Sequence, residues 1–111
     1  MSEQTVRTLP EFEAAIAAWP RILLFKHSPV CPISAAARAE YEVFRLDHPD
    51  VPTLFVDVIA ARATARGIAG LCGIRHESPQ AILFENGRPV WHASHDAITA
   101  GSLTAAWAPR C

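Results

Sequence analysis

The sequence predicts one α/β domain over residues 1–111, a central mixed sheet flanked by helices. Three observations predict it. Short apolar runs alternate with stretches of helical apolar spacing, which argues for β-α units and parallel strands. Asn86-Gly87 lies between two strand-like runs and marks a tight antiparallel hairpin. The length of 111 residues, half of them apolar, suits a single core that needs no metal or disulfide staple.

The elements follow in order. Thr8 precedes an apolar-periodic stretch and Glu11 stands three residues on, a capping-box pattern with Pro10 in the first turn. Phe12, Ile16 and Trp19 fall at helical spacing, so a helix is expected over Leu9–Trp19, ended by Pro20. Arg21–Lys26 holds Ile22-Leu23-Leu24-Phe25, a run of the length and composition of a strand buried on both faces. His27-Ser28-Pro29-Val30 reads as a loop. Cys31-Pro32 opens a long helix to Asp47, with Ala35, Ala39, Val43 and Leu46 in register.

Thr53–Val58 is the next strand. Ala60–Gly73 reads as a helix weakened by Gly67 and Gly70. Ala81–Glu85 and Pro89–Ala93 are the hairpin strands, and Thr99 caps a last helix, Ala100–Ala108, closed by Pro109. The expected order is (β)-α-β-α-β-α-β-β-α, the first strand without assigned bounds. Trp19, Trp91 and Trp107 read as packing residues.

Composition excludes several function classes. The formal net charge is -1, and no block of like charges points to nucleic acid or an anionic membrane. No apolar run is long enough to span a bilayer, and Met1 to Pro10 lack a signal-peptide pattern, so a cytoplasmic setting is expected. The three cysteines, Cys31, Cys72 and Cys111, are an odd number without an export signal. That argues against a disulfide framework. In a reducing compartment a cysteine is more often buried or reactive.

Cys31-Pro32-Ile33-Ser34 is the strongest chemical pattern. It sits after a buried strand and at a helix start. A helix N-terminus carries partial positive charge and unpaired N–H groups, which favour thiolate over thiol. Pro32 suits the first helical position. Ser34 lies one turn on, where its hydroxyl could face the sulfur and donate a hydrogen bond. The second pattern is Ser78-Pro79, just before a strand. A proline there is either a plain strand-start residue or the site of a cis peptide.

These features together resemble the monothiol bacilliredoxin family. The resemblance rests on Cys31-Pro32-Ile33-Ser34, on His76-Glu77-Ser78-Pro79-Gln80, and on Val90-Trp91-His92-Ala93-Ser94-His95 followed by Ala97-Ile98-Thr99, and it runs from Phe25 to Leu103. It implies a thioredoxin-like fold with no bound cofactor. It also implies removal of bacillithiol, a low-molecular-weight thiol acting as co-substrate, from mixed disulfides on cytoplasmic client proteins. Cys31 would be the nucleophile and Pro79 a cis-proline beside it. The Ser78 backbone would then be free to pair with a client segment as an added strand. Ser34, standing where a dithiol enzyme keeps its second cysteine, cannot resolve the adduct.

Other residues keep two readings. Cys72 is a small buried residue of an apolar helix face, or a resolving thiol. Cys111 is an exposed terminal thiol, or a resolving one. His27 lines the mouth of the site and steadies the thiolate when charged, or is a satisfied surface histidine. His76, His92 and His95 lack an accompanying cysteine or carboxylate set, so no metal is expected. Two competing functions are an iron–sulfur carrier, disfavoured by the stiff Pro32 after Cys31, and a non-catalytic binding module that keeps only the fold.

Overall fold

A computed structural model of the chain describes residues 3–108. Its strands are β1 (Glu3–Thr5), β2 (Arg21–His27), β3 (Thr53–Asp57), β4 (Gln80–Glu85) and β5 (Arg88–Ser94). Its helices are α1 (Leu9–Ala18), α2 (Pro32–Asp47), α3 (Arg62–Cys72) and α4 (Ala100–Trp107), with a 3-10 turn at His95–Ala97. The strands form one sheet in the order β1-β3-β2-β4-β5. β1, β3 and β2 run parallel, whereas β4 is antiparallel to β2 and β5 to β4. The β2–β4 pairing is the one the sequence did not reveal, and it puts β2 in the centre of the sheet.

Alternation along β2 builds two cores. Ile22 and Leu24 face one side, packed with Phe12 of α1, Ile68 of α3, and Ile82 and Phe84 of β4. Leu23 and Phe25 face the other, packed with Tyr41 and Phe44 of α2 and Leu103 of α4. Lys26 and His27 continue this alternation at the C-terminal end of the strand. His27 is therefore a strand residue, not part of the following loop.

The helices begin largely where capping chemistry sets them. Thr8 and Glu11 form the expected capping box, as do Thr99 and Ser102. α1 ends at Ala18, and Trp19 is 45% exposed, so it is not a core residue. The register expected for α2 is corrected. Ser34, Ala37, Tyr41 and Phe44 form its buried face, while Val43 and Leu46 are exposed. The alanines of this stretch fit either face, so Tyr41 and Phe44, which bury far more apolar area, decide the phase.

Gly67 has a packing reason. A Cβ there would lie 3.3 Å from Leu9 Cδ1, so the glycine admits α1 against α3. Gly73 ends α3 in the left-handed region at φ +69, a common use of glycine. Asn86 and Gly87 both have positive φ, 52 and 78, as a type I′ hairpin turn requires. Pro109 and Cys111 lie outside the described residues.

Candidate active site

Cys31 occupies the N-cap of α2, at the C-terminal end of the central strand, and Pro32 is the first helical residue. The Cys31 carbonyl already accepts the first helical bond, from Ala35 N at 3.0 Å. No side chain caps this helix. Cys31 thus stands at the position from which a capping residue meets the open N–H groups of the first turn, and its thiol makes no hydrogen bond to them. Cys31 is a free, partly exposed thiol. Val30 and Ile33 flank it and are 78% and 53% exposed.

Ser34 is fully buried, and its hydroxyl is engaged away from the sulfur. Ser34 Oγ accepts from the Ser28 N–H at 2.9 Å and lies 2.8 Å from His27 Nδ1. The expected Ser34–Cys31 hydrogen bond is not formed. Helical geometry turns Ser34 inward onto the β2 end, where two polar groups need a partner. Its role in this structure is to fix the loop that carries Cys31.

His27 is buried beside Phe25 and Phe55. Burial pushes its ring below the ordinary histidine value; Arg38 adds to this and Asp57 opposes it. The ring is therefore uncharged at neutral pH and does not supply the positive charge that the sequence reading allowed. With the ring proton on Nε2, Nδ1 accepts the Ser34 hydroxyl.

The Ser78-Pro79 bond is cis. The β2–β4 register pairs Arg21 with Glu85 and Lys26 with Gln80, so one step further sets Pro79 opposite His27. Ser78 and Pro79 thus share the Cys31 end of the sheet. The Pro79 carbonyl accepts from the His95 N–H at 3.1 Å. Among the described residues, the Ser78 backbone makes no backbone hydrogen bond.

Two residues of this region escaped the sequence reading. Lys26 and Gln80 are both fully buried, and Lys26 Nζ donates to Gln80 Oε1 at 3.1 Å. Burial lowers the Lys26 ammonium to about 8, with Cys72 and Glu77 opposing. The available signal was a lysine directly continuing a run buried on both faces.

The remaining candidates lie elsewhere. Cys72 ends α3 and is packed against the α1–α3 core, where burial pushes its thiol up and Lys26 opposes. It lines a groove of about 760 Å³ with Trp19, Leu71, Asn86 and Gly87. That groove opens beside the β4–β5 turn, at the other end of the sheet from Cys31. Cys31 and Cys72 are both free thiols, not joined to each other. Cys111 lies outside the described residues. Among the described residues, no group of three His, Cys, Asp or Glu side chains could hold a metal ion. No helix among them is long and apolar enough to cross a membrane.

Comparison with known proteins agrees with this geometry. A candidate oxidoreductase with a thioredoxin fold is 33% identical, with a TM-score of 0.88 over 94% of this chain and 92% of that one. Mitochondrial thioredoxin 3 from Saccharomyces cerevisiae shares the fold at 16% identity, with a TM-score of 0.74 over 93% of this chain and 91% of that one. Oxidised thioredoxin from Plasmodium falciparum does so at 16% identity, with a TM-score of 0.72 over 95% and 94%. The family model for the monothiol bacilliredoxin BrxC matches residues 4–103. A free cysteine at the N-cap of α2, a buried serine one turn on and a proline across the ladder thus sit on a thioredoxin fold, and the chain belongs to the monothiol bacilliredoxin family, whose role is thiol redox chemistry.

Proposed function

We propose that this protein removes bacillithiol from mixed disulfides on client proteins, through Cys31 as sole nucleophile. The observation that carries the reading is the pairing of Cys31 at the helix N-cap with a buried, hydrogen-bonded Ser34 where a second thiol would close a disulfide.

Thiolate Cys31 attacks the bacillithiol sulfur of the mixed disulfide. The client–bacillithiol S–S bond breaks as the Cys31–bacillithiol bond forms. The client leaves as a thiolate and takes up a proton. Ser34 has no sulfur, so the adduct persists until another thiol attacks it. That second thiol carries away the oxidising equivalents and frees Cys31. Such a cycle belongs in a reducing cytoplasm.

A client segment lies along the unpaired Ser78 backbone as a short added strand, with Pro79 beside it. Pro32 and His27 shape the loop between. The apolar rim of Val30, Ile33 and Ile59, the last 48% exposed, suits the apolar surface around a client cysteine. The identity of the small thiol is supported by family membership alone.

Intact-mass spectrometry tests the reading. Wild type and Cys31→Ser are each mixed with a bacillithiolated client and, in parallel, a glutathionylated one. The expected result is loss of bacillithiol from the client with a matching mass gain on wild type only. Stripping by Cys31→Ser, or no transfer by wild type, overturns the reading. A preference for the glutathionylated client reassigns the small thiol.

A further inference from the structure

Lys26 poses an energetic problem. Its side chain is fully buried, and it continues the Ile22–Leu24 face of β2 toward the α1–α3 core. Moving an ammonium out of water costs several kcal/mol unless it is well paired. Its partner here is the neutral amide of Gln80, at 3.1 Å. An apolar side chain of similar length would fill this position at lower cost. Stability does not account for the lysine, whereas the hydrogen bonds it organises do.

Gln80 is the register partner of Lys26 on β4. A carboxamide can present either oxygen or nitrogen to a neighbour, but an ammonium only donates. Lys26 therefore holds Oε1 toward itself and turns Nε2 the other way. Gln80 Nε2 then donates to the Arg75 carbonyl at 3.1 Å and reaches Ser94 Oγ at 3.5 Å. The Ser94 hydroxyl in turn stands beside the Glu77 carboxyl and holds it below its ordinary value. The His95 N–H takes the Pro79 carbonyl. The segment 75–79 is thus tied at Arg75 and Pro79, and among the described residues the backbones of His76, Glu77 and Ser78 between them make no backbone hydrogen bond.

We propose that Lys26 is a positioning residue for the exchange at Cys31: by fixing the Gln80 amide, it holds segment 75–79 so that the Ser78 backbone is aligned for a client. This rests on the reading of Cys31 and Ser78 as the client site. The titratable groups that face the ammonium are Cys72 of α3 and, from the segment itself, His76 and Glu77. Nδ1 of His76 is buried without a partner, so the bridge through Gln80 is the polar tie on that side of the segment.

The test uses Lys26→Met and, from the other side of the bridge, Gln80→Leu. Each is expected to speed amide hydrogen exchange across residues 75–79 by about tenfold. Each is expected to slow transfer from a bacillithiolated protein by about tenfold, the scale of a modest misplacement. Alkylation of Cys31 by iodoacetamide, which needs no contact with Ser78, stays within about twofold of wild type. The double variant should lose no more than the worse single variant, because the two residues act as one bridge.

Unchanged hydrogen exchange overturns the proposal, as does a loosened segment with an unchanged transfer rate. Alkylation falling in parallel with transfer also overturns it, by showing general damage. If Lys26→Met does not fold, Gln80→Leu decides alone. If wild type itself strips no client, the Cys31 reading fails, and hydrogen exchange still reports separately on whether Lys26 holds the segment.

Discussion

Ser34 Oγ lies 2.8 Å from His27 Nδ1, so the first turn of α2 is tied directly to the last residue of β2. The loop between them carries Cys31. Its ends are fixed by this contact and by the Ser28 N–H on the same oxygen. The sulfur is therefore held by its frame rather than by a bond of its own.

Removing that oxygen exposes the cost. Ser34→Ala leaves the Ser28 N–H and His27 Nδ1 buried without their partner. Stability should fall by about 1–3 kcal/mol, the usual cost of a stranded buried polar group, read from urea unfolding. Ser34→Cys has a chemical readout as well. The bacillithiol adduct should give way to an internal disulfide, so the intact mass of oxidised protein drops by two hydrogens instead of gaining an adduct.

His27 should resist protonation. Its value is depressed below the ordinary 6.5 by burial. Its contribution to stability is then fully present above pH 6.5 and is lost as pH falls through the depressed value. A two-dimensional NMR titration should place the midpoint of the His27 ring shifts below 6.5. A midpoint at or above the ordinary value contradicts the buried, uncharged ring.

Lys26 gives the opposite pH window. Its ammonium titrates at about 8 in the fold against an ordinary 10.5, so the unfolded chain binds more protons between those values and stability rises with pH across them. Methionine removes this dependence. Lys26→Met should be at least as stable as wild type at pH 7, and its advantage should shrink as pH approaches 10.5. Thermal unfolding of both proteins across this range checks it, with Cys72→Ser in both backgrounds because Lys26 also acts on the Cys72 thiol.

Two glycines of one helix should answer oppositely to alanine. Gly70 lies inside α3 with open space around a new Cβ, so Gly70→Ala should stabilise by about 0.5–1 kcal/mol. Gly73 has equal space but a φ of +69, so Gly73→Ala should destabilise by about 1 kcal/mol. Chemical denaturation of the pair separates backbone conformation from packing.

Much of the fold was legible because its signals are local. The Thr8–Glu11 box, Pro32 at a helix start and Asn86-Gly87 each act within a few residues. Cys31 was legible for the same reason, since a strand, a loop and a helix start lie side by side in the chain. The phase of α2 was not, because alanine fits a buried or an exposed face and the decision rests with the distant partners of Tyr41 and Phe44. The Ser34 partners were not legible either: a hydroxyl bonds whatever the fold brings near, and here that is the end of β2. Lys26 and Gln80 meet only through the β2–β4 ladder, a pairing between residues far apart in sequence. Cys72 could be named but not located, because only the assembled sheet shows that its groove opens at the other end.

Among the described residues, the unpaired backbone runs from His76 to Ser78 and stops at Pro79. Pro79 beyond it has no N–H to offer, and its carbonyl is already taken by His95. Pairing along this edge therefore cannot continue from Ser78 into β4. A longer open edge would grip harder, but it would also template the growth of a shared sheet from molecule to molecule. A few residues are enough to align a strand for a single turnover and too few to keep it, so the same brevity that makes the contact weak makes it safe against aggregation.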